Sequence, residues 1–165
     1  MITHDVEQGS DEWFAARLGK PTASEFSKLI TSQGKPSKQM QPYAQKLAGD
    51  LYAGKNIHAW EGNQYTDRGK EGEDEARRAY AMRGTPVDPV GFITDDLLLW
   101  GCSPDGLVGC DGMVEIKCLP KQHIATLLYY QKNGRAPTDY IVQCQGQMLI
   151  AGRQWCDLFY YHPDL

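Results

Sequence analysis

The sequence predicts an α/β protein in which a mixed β-sheet is covered by helices on both faces. Three observations predict it. Helical patterns fill the first half, a meander of short strands runs from Val90 to Pro120, and two more helical patterns precede a final strand at Trp155 to Tyr161. Helices that precede and follow strands in this way can cover both faces of one sheet. At 165 residues the chain reads as a single domain over 1–165, long enough for a substantial core.

The elements follow in order. Ser10 has the character of an N-cap, Asp11 and Glu12 suit the positive end of the helix dipole, and Gly19 reads as the stop of a short helix over WFAARL. Thr22 to Glu25 matches a capping box and predicts a second helix through Phe26, Leu29 and Ile30. Residues 31–42, TSQGKPSKQMQP, are polar and aperiodic and read as a loop, with Lys35 and Lys38 able to touch a polyanion. A helix over 43–53 should turn Tyr43, Leu47 and Leu51 to one apolar face. A longer helix from Thr66 to Arg83 carries Ala76, Ala79 and Tyr80 inward, ended by Gly84 and Pro86.

Strands are expected at Val90–Thr94 and Leu97–Cys102, joined at Asp95-Asp96. The next stretch, GCSPDGLVGCDGMVEIKCLP, reads as a β-hairpin turning at Cys110-Asp111-Gly112. Helices at His123–Gln131 and Asp139–Ile150 and the final strand complete the chain; in the second helix Tyr140, Gln143 and Gln147 share a face.

Composition excludes several classes. No apolar run reaches the roughly 18 residues of a membrane span, and MITHDVEQGSDEW lacks the plan of a signal peptide, so a cytoplasmic protein is expected. The net charge of −4 argues against holding nucleic acid by bulk charge alone, yet leaves room for a local basic groove. The five cysteines contain no C-x-x-C pair and are expected as free thiols, and the four histidines are scattered, which disfavours a zinc or iron–sulfur site.

The hairpin carries the chemistry. Side chains alternate along a strand, so Glu115 and Lys117 point one way and Ile116 the other. A turn centred on Cys110-Asp111 sets Asp105 opposite Ile116. In either neighbouring register Asp105 still lies within about 4.5 to 8 Å of Glu115 or Lys117. Carboxylates this close repel unless a cation sits between them, and a divalent metal with oxygen ligands would serve. The same residues also suit a solvated charged face. Glu73 lies at i, i+3 and i+7 with Ala76 and Tyr80, so it either turns inward as a third carboxylate or pairs with Arg77 at the surface. Arg17 near the end of one helix and Ser24 at the start of the next suit a phosphate pocket, or a capped helix with a surface arginine.

Taken together, EQGSDEWFAARLGKPTASEF, RGKEGEDEAR, GCSPDGLVGCDGMVEIKC and YIVQCQGQM are similar, in order and over nearly the whole chain, to the phage-type alkaline exonucleases. This is the lambda exonuclease or YqaJ-like family of the PD-(D/E)xK nucleases. The resemblance implies a restriction-endonuclease-like core and a Mg²⁺-dependent deoxyribonuclease, with Mn²⁺ able to substitute. The expected reaction digests linear double-stranded DNA from 5′ ends and leaves 3′ single strands for an annealing protein; a homotrimeric ring is expected. Carried over, Asp105, Glu115 and the Ile116 carbonyl are metal ligands, Glu73 is the helix carboxylate, Lys117 the motif lysine and Gln143 the glutamine beside the active site. Arg17, Ser24 and Ser103 match the 5′-phosphate pocket.

The chain departs from the family pattern in three places. Leu119 is inserted before Pro120, the family's further strand and helix after YYHPDL are not in this sequence, and NQYTDR is polar where a strand-separating residue is expected. Competing readings are an endonuclease or Cas4-like nuclease on the same fold, the latter disfavoured by the cysteine spacing, and a non-catalytic DNA-end-binding module.

Overall fold

Among the described residues twelve elements follow one another: β1 (Ile2–His4), α1 (Asp11–Arg17), a 3-10 turn (Ala23–Lys28), α2 (Met40–Ala53), α3 (Gln64–Ala81), β2 (Phe92–Thr94), β3 (Gly101–Cys102), β4 (Gly106–Val108), β5 (Gly112–Cys118), α4 (Ile124–Lys132), α5 (Thr138–Ala151) and β6 (Trp155–Tyr161). This computed structural model describes residues 1–56, 64–118 and 123–163. The side chains of NQYTDR and the Leu119-Pro120 step lie outside what it describes.

The helices flank strands as expected, but the strands form two small sheets rather than one. β1, β2 and β3 make an antiparallel sheet, and β4, β5 and β6 a mixed one in which β5 and β6 run parallel. The break falls at Ser103-Pro104-Asp105. Pro104 has no N–H to donate to a ladder and is buried, so the chain bends there from one sheet into the other.

Other expectations need correction. β1 was not foreseen, because three residues are too few to show alternation. Thr22 stands at the N-cap but makes no side-chain cap bond, and only a 3-10 turn follows; its hydroxyl sits against Ser24 and Arg17 while Glu25 pairs with Lys28. α2 starts at Met40 and buries Tyr43 and Asp50, whereas Leu51 is exposed. Leu97 to Trp100 are not strand. The Asp95 carboxylate accepts the N–H groups of Leu97, Leu99 and Trp100 and folds the segment into a loop.

Two apolar clusters hold the layers. Ile93, Cys102 and Met113 pack against Ile150 and Ala151 of α5 and Phe26 of the 3-10 turn. Gly146 makes the α5 approach possible, because a Cβ there would lie 2.4 Å from the Phe26 ring. On the other side Ala76 and Tyr80 of α3 pack on Val114, Ile116 and Phe159.

Within this second cluster the Tyr80 hydroxyl donates to Asp157 Oδ2 at 2.7 Å. Burial first, then that bond and charge, push the hydroxyl up to about 12 from 10.0. The folded form therefore keeps a proton that the unfolded chain loses earlier. This contribution is fully present below pH 10 and is lost as pH climbs towards 12. Tyr80→Phe should flatten the fall in melting temperature across that window; an unchanged pH profile would remove Tyr80 from the account.

Candidate active site

The site is built on a bare strand edge. β4 pairs with β5 only where Gly106 to Val108 face Val114 to Gly112, while β6 covers the opposite edge of β5 along its full length. Beyond Val114 the β4-side edge is left free for other groups. The turn spans Gly109 to Asp111, with Gly109 at φ 57°, so the register differs from a turn centred on Cys110-Asp111. Asp105 falls just past the end of the ladder, and its Oδ2 accepts the Ile116 N–H at 2.5 Å. In a strand the carbonyl of a residue points to the same edge as its N–H, so the Ile116 carbonyl faces this edge too.

α3 brings the second carboxylate. Gly72 lies against Cys118 of β5, and the Glu73 carboxyl next along the helix hydrogen-bonds that of Asp105. Burial, then Glu115, then Glu73 hold Asp105 well above the usual carboxylate range, while the Ile116 N–H pulls it down. Arg77 braces this pair. It donates Nε to the Asp105 carbonyl at 2.8 Å, lies 3.6 Å from Glu73 Oε1 and binds Asp74 at 2.6 Å. Glu73 thus stands between Arg77 and the Asp105 carboxyl.

Glu115 and Lys117 face α5, as alternation requires. Glu115 is buried, with three side-chain donors. Lys117 Nζ and Gln143 Nε2 each reach Oε1 at 2.5 Å, and Gln147 Nε2 reaches Oε2 at 2.7 Å. These bonds offset the cost of burying a carboxylate. Burial lowers the pKa of Lys117, but Glu115, its hydrogen bond, Asp105 and Tyr140 outweigh it and hold the ammonium above its ordinary value. Sequence reasoning placed Gln147 on the right face without giving it a role; its i+4 spacing from Gln143 was the available signal. Among the described residues no three His, Cys, Asp or Glu groups are gathered so as to hold a metal ion as they stand.

A third group adjoins these. The Arg17 guanidinium lies 3.9 Å from the Trp13 ring and 5.7 Å from the Phe92 ring, and donates to Thr22 Oγ1 at 3.4 Å. Thr22 Oγ1 is 3.3 Å from Ser24 Oγ, and Trp13 Nε1 donates to Ser103 Oγ at 2.8 Å. Arg17, Ser24 and Ser103 are thus joined through Trp13 and Thr22, neither of which the sequence placed in a phosphate pocket. Burial lowers the guanidinium to about 10 against the opposing pull of Tyr43, Glu25 and Cys102, so it stays charged at neutral pH. Ser103 stands two positions before Asp105 and links this cluster to the carboxylates.

Carboxylates and a lysine on one strand edge of an α/β core define a protein of the nuclease-fold class. The chain belongs to the YqaJ-like viral recombinase domain family, whose model matches residues 12–154. Among solved structures it is similar to LHK-Exo, an alkaline exonuclease from Laribacter hongkongensis, with 39% identity and a TM-score of 0.79 over 94% of this chain and 76% of that one. The same enzyme in complex with dAMP gives a TM-score of 0.78 at 39% identity, with the same 94% and 76% coverage. A phage related exonuclease from Haemophilus somnus 129PT shares the fold at 21% identity, with a TM-score of 0.60 over 86% of this chain and 68% of that one. No curated protein matches.

Proposed function

We propose that this phage-type exonuclease digests linear double-stranded DNA from 5′-phosphorylated ends with the help of Mg²⁺ or Mn²⁺, leaving 3′ single strands. The observation that carries the reading is the crowding of Asp105, Glu73 and Glu115 beside Lys117 on a free strand edge. Their oxygens and the Ile116 carbonyl are of the kind a hard divalent cation takes, and the repulsion from Glu115 and Glu73, which adds to burial in raising Asp105, is what such a cation would relieve. Asp105, Glu115, Glu73 and the Ile116 carbonyl would hold it. When bound, the ion supplies charge neutralisation at the oxygens of an in-line phosphoryl displacement.

The chain's own groups do the rest. Gln143 and Gln147 fix the Glu115 carboxylate, and Arg77 fixes the backbone of Asp105. Lys117, whose Nζ stands on Glu115 Oε1, orients a water or balances charge building on the phosphate. Arg17, with Ser24 and Ser103, would grip the terminal phosphate and so select the end. A homotrimeric ring and a single-strand annealing partner in a bacterial cytoplasm belong to the same reading, resting on the family resemblance. No helix among the described residues is long and apolar enough to cross a membrane.

The test is digestion of linear duplex DNA labelled at either end, bearing a 5′ phosphate or a 5′ hydroxyl, with Mg²⁺ or EDTA. Metal-dependent loss from the 5′-phosphorylated strand is expected. Cutting of circular DNA instead would make the protein an endonuclease, and binding of ends without cleavage would make it a binding module. In the same assay Arg17→Ala should cut the preference for 5′ phosphate over 5′ hydroxyl by roughly 10-fold or more, the size of a lost charged hydrogen bond. Equal preference in wild type and variant would move the phosphate pocket elsewhere.

A further inference from the structure

The Lys117 ammonium has a second neighbour besides Glu115. It lies 5.0 Å from the centre of the Tyr140 ring, inside the roughly 6 Å over which a ring face attracts a cation. Tyr140 is half-buried on α5, and its ring meets that of Tyr160 at 6.3 Å. Tyr160 is the register partner of Lys117 on β6, so both side chains leave the same face of the sheet.

One side of α5 therefore serves the whole Glu115–Lys117 pair. Tyr140, Gln143 and Gln147 stand at i, i+3 and i+7 of the helix; the two glutamines hold Glu115, and Tyr140 meets Lys117. Gly146 sets the depth of the helix behind them by its close approach to Phe26.

The two seats of the ammonium differ in what they can do. Nζ stands on Glu115 Oε1 at 2.5 Å, and Glu115 is also in the proposed metal set. Once that carboxylate is shared with a divalent ion, its pull on the ammonium falls and like charge pushes the ammonium away. The Lys117 side chain is 21% exposed and sits on a flexible four-carbon stem, so it has a way out to solvent. A ring face attracts a cation through its quadrupole, whereas a hard divalent ion takes oxygen ligands. The ring can therefore hold the ammonium without competing for the ion.

We infer that Tyr140 is a positioning residue whose ring face keeps the Lys117 ammonium at the reacting centre while Glu115 is engaged with the metal. The inference rests on the nuclease reading of the site and adds to it a residue that acts through Lys117. Its working part is the π-face and not the hydroxyl.

The test compares Tyr140→Phe, the same substitution with singly, doubly and triply fluorinated phenylalanine, and Tyr140→cyclohexylalanine. Fluorine weakens the negative face of the ring at nearly constant shape, and the saturated ring keeps the bulk without a face. In single-turnover digestion of linear duplex with Mg²⁺, Tyr140→Phe should stay within about 2-fold of wild type and each fluorine should slow the reaction further. Tyr140→cyclohexylalanine should lose roughly 2- to 30-fold in rate, the worth of one cation–π contact, with the half-saturating DNA concentration unchanged. A rate indifferent to fluorination, or a loss as large in Tyr140→Phe as in Tyr140→cyclohexylalanine, overturns the inference. A second readout is independent of turnover. With lysine ¹³C-labelled at Cε, the Lys117 methylene, identified by its absence in Lys117→Ala, should be shifted upfield by the ring in EDTA and in Mg²⁺ alike. It should move to the position of free lysine in Tyr140→cyclohexylalanine. If Mg²⁺ moves it there in the wild type, the ring does not hold the ammonium and the inference fails. Digestion with a flat fluorine series removes the role of Tyr140 alone, whereas a wild type that leaves linear duplex intact removes the exonuclease reading.

Discussion

Lys117→Ala is expected to reduce digestion of linear duplex DNA by on the order of 10³-fold, the upper range for removing one charged group aimed at a reacting centre. The side chain has two jobs to lose. Its ammonium is the cation standing beside Glu115, and its Nζ is one of two donors on Glu115 Oε1. Gln143 and Gln147 still hold Glu115 in the variant, so the fold should survive and the loss should appear in turnover. Asp105→Asn should be as severe, because it removes one of the carboxyl oxygens that would hold the metal ion while keeping the shape of the side chain. Rates measured alongside thermal melts decide the matter. A variant that melts like the wild type and digests DNA within a few-fold of it would show that Lys117 has no part in the reaction.

Gly101→Ala should cost about 1–3 kcal/mol of stability and lower the melting temperature by about 3 to 10 °C. A Cβ at this position would lie 2.0 Å from Cζ of the Phe92 ring, which is fully buried and has nowhere to turn. Gly101 also donates its N–H to the Pro21 carbonyl at 3.0 Å, so the strand cannot shift away without losing that bond. The Arg17 guanidinium sits over the same ring, so the disturbance should extend to the end-binding cluster. An unaltered melting temperature would mean that the interior around Phe92 is looser than its burial indicates.

The local rules written in the chain were sufficient for much of this. Ser10 caps α1 by accepting the Trp13 N–H, and Ala76 and Tyr80 turn inward on α3, because capping and the 3.6-residue period act within a few residues. Alternation alone put Glu115 and Lys117 on one face and Ile116 on the other. Short strands were less legible. Leu97 to Trp100 have the composition of a strand but are claimed by the Asp95 carboxylate, and hydrogen bonds from one side chain to three backbone groups outweigh propensity.

What the sequence by itself determined was the α/β class, the order of the helices and the identity of the charged residues at the hairpin, since each depends on spacing along the chain. Tertiary structure alone decided the rest. It split the strands into two sheets at Pro104 and seated Asp105 on the Ile116 N–H beyond the end of the ladder. It also set Gln147 on Glu115, Arg77 on the Asp105 carbonyl, Trp13 on Ser103 and Thr22 on Arg17, pairings that local sequence does not name. The physical reason is that a buried carboxylate or guanidinium takes its partners from whatever elements pack against it, and that packing is settled only when the whole chain has folded.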